Sequence, residues 1–70
     1  MLILTRERLA RGWSRQELAA RSRLAPGDVG KITRGILVPY QSQLDRMAQA
    51  LEWAGPASEL LEEDTTHDSD

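Results

Sequence analysis

The sequence predicts an all-α domain of five short helices. Three observations carry the prediction. Residues that start or stop helices recur at short intervals, at Ser14, Pro26 and Gly35. Apolar residues repeat with helical spacing, most clearly at Leu44, Met47, Ala48 and Leu51. Seventy residues without a cysteine make one small domain, held by packing and not by disulfides.

The first helix is predicted over Leu4–Arg11, with Thr5 available to open it and Gly12 to stop it. The second runs over Arg15–Arg21. Ser14 and Glu17 stand three apart, as in a capping box. Leu18 and Ala19 are expected to face inward, while Arg15, Arg21 and Arg23 face out. The third covers Pro26–Arg34. Proline suits the first helical position because its missing N–H would lack an intrahelical partner there anyway. Asp28 faces the positive end of the helix dipole. Val29 and Ile32 share a face, and Gly35 can cap the end. Gly27 and Gly30 each cost about 1 kcal/mol relative to alanine, so packing must hold this helix.

"ILVPY" reads as a loop, since Pro39 disfavours helix at Val38. Ile36 and Val38 are expected to pack inward, Leu37 and Tyr40 to be exposed. A fourth helix begins at Gln41. "WAGPASELLEE" gives a short fifth, with Leu60 and Leu61 as its apolar face and Trp53 capping the core beside it. Residues 1–63 are expected to form the domain. "DTTHDSD", residues 64–70, is expected to be a disordered acidic tail.

The net charge of −2 conceals an asymmetry. From Met1 to Leu51 nine positive residues face four negative ones, a balance of +5. From Glu52 onward there are seven acids and no lysine or arginine. A basic body with an acidic end is a pattern found in nucleic-acid binders, and also a pattern of ordinary solvated surfaces. Four apolar residues open "MLILTRER", too few for a signal-peptide core or a membrane span, so a soluble, cytoplasmic protein is expected. Catalysis is not expected. The single histidine, His67, lies among the tail acids, with no cysteine and no metal-ligand spacing nearby. "GDVGK" lacks the spacing and the preceding strand of a phosphate loop. No cofactor or metal is expected.

The ordered set of residues goes further. Arg11, Gly12, Trp13 and Ser14 are followed by Leu18 and Ala19, then Val29 and Ile32, then Gly35 and Pro39, and finally Leu44, Met47, Ala48 and Leu51. This series resembles the lambda-repressor/Cro-like (XRE-type) helix-turn-helix family over roughly Leu4 to Leu51, without a gap. The resemblance implies a five-helix lambda-repressor-like DNA-binding domain whose second and third helices form the reader. Carried position by position, it places Arg15 and Gln16 against a phosphate at the start of the second helix. Pro26, Gly27 and Asp28 would lie near base edges, Lys31 one turn on, and Arg34 near a phosphate.

Two departures stand out. The base-edge positions are poor in donors: proline and glycine offer none, Asp28 only accepts, and Lys31 can donate to guanine O6 or N7. In addition, the family often has a glutamate where Thr33 stands, paired with the arginine that Arg8 matches. Arg8 must then find another partner, meet a phosphate or stay solvated. The expected function is a sequence-specific regulator of double-stranded DNA, a homodimeric repressor or antitoxin-like protein. The alternative is a protein-interaction module that keeps the helix-turn-helix shape, with "PGDVG" on its reading face and "ILVPY" beside it. A further idea is that the tail acids fold back onto the basic face.

Overall fold

The computed structural model describes residues 1–64. Their regular elements are all helical: α1 (Ile3–Ala10), α2 (Arg15–Ser22), α3 (Pro26–Thr33), α4 (Gln41–Leu51) and a closing 3₁₀ turn (Ala57–Leu61). The expected fifth α-helix is thus a tighter single turn. Leu60 alone is buried within it, and so short an apolar stretch anchors one turn and no more.

α1 starts one residue earlier than the sequence suggests. Leu2, in extended conformation, is its N-cap, and Thr5 lies inside the helix. The reason lies at the other end of the chain. The N–H of Ile3 donates to the Glu62 carbonyl at 2.9 Å, and the Asp64 N–H donates to the Met1 carbonyl at 2.7 Å. Leu2 and Glu63 form an antiparallel bridge. Arg6 Nη1 lies 3.5 Å from the Asp64 carboxylate, and Asp64 is only 7% exposed. Asp64 therefore belongs to the folded body, one residue beyond the expected boundary. The rest of the expected tail, including His67, lies outside the described residues.

α2 is capped as expected on one side only. Ser14 Oγ accepts from the Glu17 N–H at 3.0 Å. The Glu17 carboxylate does not reach back; it accepts from Arg21 Nε at 2.6 Å one turn later. Between α2 and α3 the chain passes through three residues, Arg23 to Ala25. Arg23 adopts the left-handed conformation, φ 57°, that ends α2 abruptly. α3 begins on Pro26 as expected, with no side-chain cap, and the left-handed Gly35, φ 77°, follows its C-cap Arg34.

Nine side chains form the core: Leu4, Leu18, Ala19, Val29, Ile32, Leu44, Met47, Leu51 and Leu60. Burying a leucine or isoleucine fully contributes about 1.5–3 kcal/mol, so this cluster is the main favourable term. α2 packs on both α3 and α4, and the 3₁₀ turn closes against α1 and α4. Trp53 packs on the core's edge, and its indole N–H donates to the Pro56 carbonyl at 3.2 Å. The loop before α4 reverses the expected parity. Ile36 and Val38 are exposed, at 68% and 84%, and Leu37 packs against the core. Backbone bonds from Ile36 and Leu37 to the Lys31 carbonyl set this orientation by wrapping the chain around the end of α3. Tyr40 is exposed as expected. Among the described residues no helix is long and apolar enough to cross a membrane.

Arg11 ties the first helix to the fourth. Its Nη2 donates to the Leu51 carbonyl at 2.6 Å, placing positive charge at the C-terminal end of α4. Its Nη1 meets the Glu7 carboxylate at 2.9 Å, and Arg6 reaches that carboxylate from the other side at 2.7 Å. Hydrogen bonds from Arg11 and then Arg6 hold the Glu7 carboxyl below its ordinary range. Folded Glu7 thus binds a proton more weakly than the unfolded chain does. Its contribution is fully present above the ordinary carboxylate value and is lost as pH falls through the depressed folded value. Glu7→Gln is expected to cost about 1 kcal/mol at neutral pH and to flatten the loss of stability below about pH 5, read as denaturant midpoints across a pH series.

Candidate nucleic-acid interface

The first turns of α2 and α3 and the end of α3 meet at one face. Arg15 and Gln16 occupy the first two positions of α2, Pro26 and Gly27 the first two of α3, and Arg34 caps its end. All five are exposed, and all five line one cleft of about 500 Å³. Asp28 and Lys31 do not line it. Asp28 is half-buried in the first turn of α3, near the positive end of the helix dipole, and makes no side-chain cap hydrogen bond. Lys31 is exposed, and its ammonium makes no hydrogen bond or ion pair with the described residues. The seven expected contact residues therefore divide into a cleft set of five and an outer pair.

Three residues outside that set also build the cleft: Arg8, Ser14 and Gly30. Gly30 is buried, and its carbonyl accepts from Thr33 Oγ1 at 2.9 Å and from Arg34 Nε at 3.2 Å. A Cβ there would sit 3.4 Å from Arg34 Nη2, so the bare α-carbon leaves room for that guanidinium to fold back along the helix. Thr33 spends its hydroxyl on its own helix and offers no charge to Arg8.

Arg8 is the unusual group. It is only 8% exposed, on the same stripe of α1 as the buried Leu4. Its Nη1 donates to the Trp13 carbonyl at 2.7 Å, and the Trp13 N–H donates to the Arg8 carbonyl at 3.1 Å. The arginine thus brackets the turn from α1 to α2 and fixes where Ser14 caps the next helix. A carbonyl supplies only a partial charge. Arg8 Nε is buried with no partner among the described residues. Burial, and then the nearby charge of Arg15, hold the guanidinium below its ordinary pKa. Of the three outcomes open at the sequence level, the carbonyl partner is the one observed. The signal was readable: a charged residue four places after Leu4 on an apolar stripe points inward.

Trp13 continues the scaffold. Its ring lies under the Arg21 guanidinium, 4.4 Å from the centroid, with Arg11 at 5.8 Å. Such contacts contribute about 0.5–1 kcal/mol at exposed sites and hold the turn against α2.

Comparisons with protein-family models, with curated proteins and with solved structures return no match.

Gly27 has no such packing reason to be glycine, since a Cβ would meet nothing within 4 Å. Gly27→Ala is therefore expected to raise stability by about 0.5–1 kcal/mol through helix propensity, measured by thermal or denaturant unfolding. A loss of stability would reveal a contact that the open surface does not contain.

Proposed function

We propose that this chain is a sequence-specific double-stranded-DNA-binding transcriptional regulator of the lambda-repressor-like helix-turn-helix type, acting as a homodimer of repressor or antitoxin-like character. One observation carries the reading. Two consecutive helices joined by three residues present their first turns on one face, around a cleft bearing Arg8, Arg15 and Arg34. Helix N-termini and guanidinium forks both suit phosphate oxygens. Lys31, exposed and uncommitted on α3, supplies a donor for guanine, and Gly27 lets the backbone come close to the duplex. With so few donors for base edges, discrimination leans on operator shape and on the half-site spacing a dimer imposes.

The second reading is a protein-interaction module. Ile36, Val38 and Tyr40 are all exposed beside α3, where a DNA-gripping loop would carry basic residues. Exposed apolar side chains in one short segment suit a protein surface better than a phosphate backbone.

Selection from a randomised duplex pool, followed by affinity measurements across a salt series, separates the two. A DNA reader enriches one site, and the logarithm of its affinity falls linearly with the logarithm of salt at a slope of about −0.9 per phosphate contacted. Arg15→Ala should weaken all sequences alike and reduce that slope by about 1. Lys31→Ala should instead relax preference at one base position, by about 1–3 kcal/mol of discrimination. No enrichment, with weak binding that vanishes in moderate salt, favours the protein partner.

A further inference from the structure

Residues 65–70, "TTHDSD", lie outside the described residues, but the place where they begin is defined. Asp64, just before them, is 7% exposed. Its N–H donates to the Met1 carbonyl at 2.7 Å, and its carboxylate lies 3.5 Å from Arg6 Nη1. The first acid of the expected tail is thus already folded back onto an arginine of the body. Met1 and Glu63, at that attachment, line a second cleft of about 310 Å³ together with Arg8, Arg15 and Arg34. None of these three arginines forms an ion pair with a carboxylate among the described residues, whereas Arg6, Arg11 and Arg21 each do. Glu63 is the one acid lining the cleft, and the Met1 ammonium engages it at 3.1 Å, so those two charges offset each other. The chain therefore leaves the described body at the rim of a cleft that keeps an excess of guanidinium.

We propose that residues 65–70 turn back along this cleft and set Asp68 and Asp70 against Arg15 and Arg34, as a built-in competitor for the duplex. Six residues span at most about 20 Å, and their attachment already borders the cleft. Charge complementarity is direct. "HDSD" carries carboxylates at alternate positions with no lysine or arginine. Arg15 and Arg34 are exposed, and the buried charge of Arg8 lies in the same cleft with its Nε unpartnered among the described residues. Each exposed ion pair is weak, but so short a tether gives the two carboxylates an effective concentration in the millimolar range. The contact itself does not require the DNA reading; its regulatory consequence rests on that reading. There the tail lies where the duplex backbone would come, and it lowers affinity for all sequences alike.

The test compares three proteins: the full chain, a chain ending at Asp64, and the full chain carrying Asp68→Asn with Asp70→Asn. Ending at Asp64 keeps the bonds to Met1 and Arg6. The first readout needs no DNA and uses the NMR resonances of arginine Nε–H groups and backbone amides at low salt. Removing the tail, or its two charges, should shift Arg15 and Arg34 and the amides of Gln16 and Gly35. Raising salt to about 0.5 M should erase most of the difference, because screening then acts within about 4 Å. Shifts confined to residues 1–3 and 62–64, or centred on Arg23, Lys31 or Arg46, overturn the contact. The second readout is duplex affinity. The shortened chain and the double variant should bind about two- to fivefold tighter than the full chain at low salt, with the gap closing as salt rises. Shifts at Arg15 and Arg34 without duplex binding by any of the three support the contact and tell against the DNA reading. Equal duplex binding by all three overturns the competitor and leaves the DNA reading standing.

Discussion

The hydrogen bond between the Arg8 guanidinium and the Trp13 carbonyl is the contact on which the candidate face depends. It places a permanent charge on the apolar stripe of α1, where a leucine would have packed without cost. In return the turn between α1 and α2 is held from both sides, by the arginine's side chain and by its own carbonyl. The position of that turn decides where Ser14 meets the Glu17 N–H, and so where α2 begins. Everything the cleft receives from α2, Arg15 and Gln16 first, inherits its place from this bracket.

The core does the complementary work. α2 is buried through Leu18 and Ala19, α3 through Val29 and Ile32, and both rest on Leu44, Met47 and Leu51 of α4. Propensity alone would not keep α3 helical, with two glycines in eight residues and no side-chain cap. Packing holds it, and this leaves its outward face free to carry residues chosen for something other than stability. Gly27 and Lys31 are such residues: neither contributes to the core, and neither is engaged by another described side chain.

Most of the architecture was legible in the chain, because caps and apolar spacing are local signals. Ser14, Pro26 and Gly35 mark the boundaries where α2 and α3 begin and where the chain leaves α3. The failures arise where the choice of hydrogen-bond partner, near or distant, overrides apolar spacing. α1 begins early because Glu62 and Asp64, some sixty residues away, bond to its first turn. Ile36 and Leu37 exchange sides because their N–H groups bond to the Lys31 carbonyl, a constraint that side-chain polarity does not encode. Glu17 turns to Arg21 and not to Ser14, a choice between two local partners that spacing leaves open. In the candidate site, the family resemblance named Arg15, Gln16, Pro26, Gly27 and Arg34, and these five line one cleft. It did not reveal that Arg8 forms the floor, nor that Asp28 and Lys31 lie off the cleft. That division depends on how α2 crosses α3, which no single segment specifies.

The backbone bonds joining residues 1–3 to residues 62–64 carry a topological consequence. With Leu2 bridged to Glu63, the described chain is close to a closed ring of helices. The core contacts do not depend on where such a ring is cut. The natural alternative cut lies at Ile36–Tyr40, where exposed side chains cover no core apart from Leu37. A permuted chain, joined across the bridged ends and opened in that loop, would keep α1 beside the 3₁₀ turn and α2 upon α3. The order in which the chain visits its helices is thus separable from the packing that holds them.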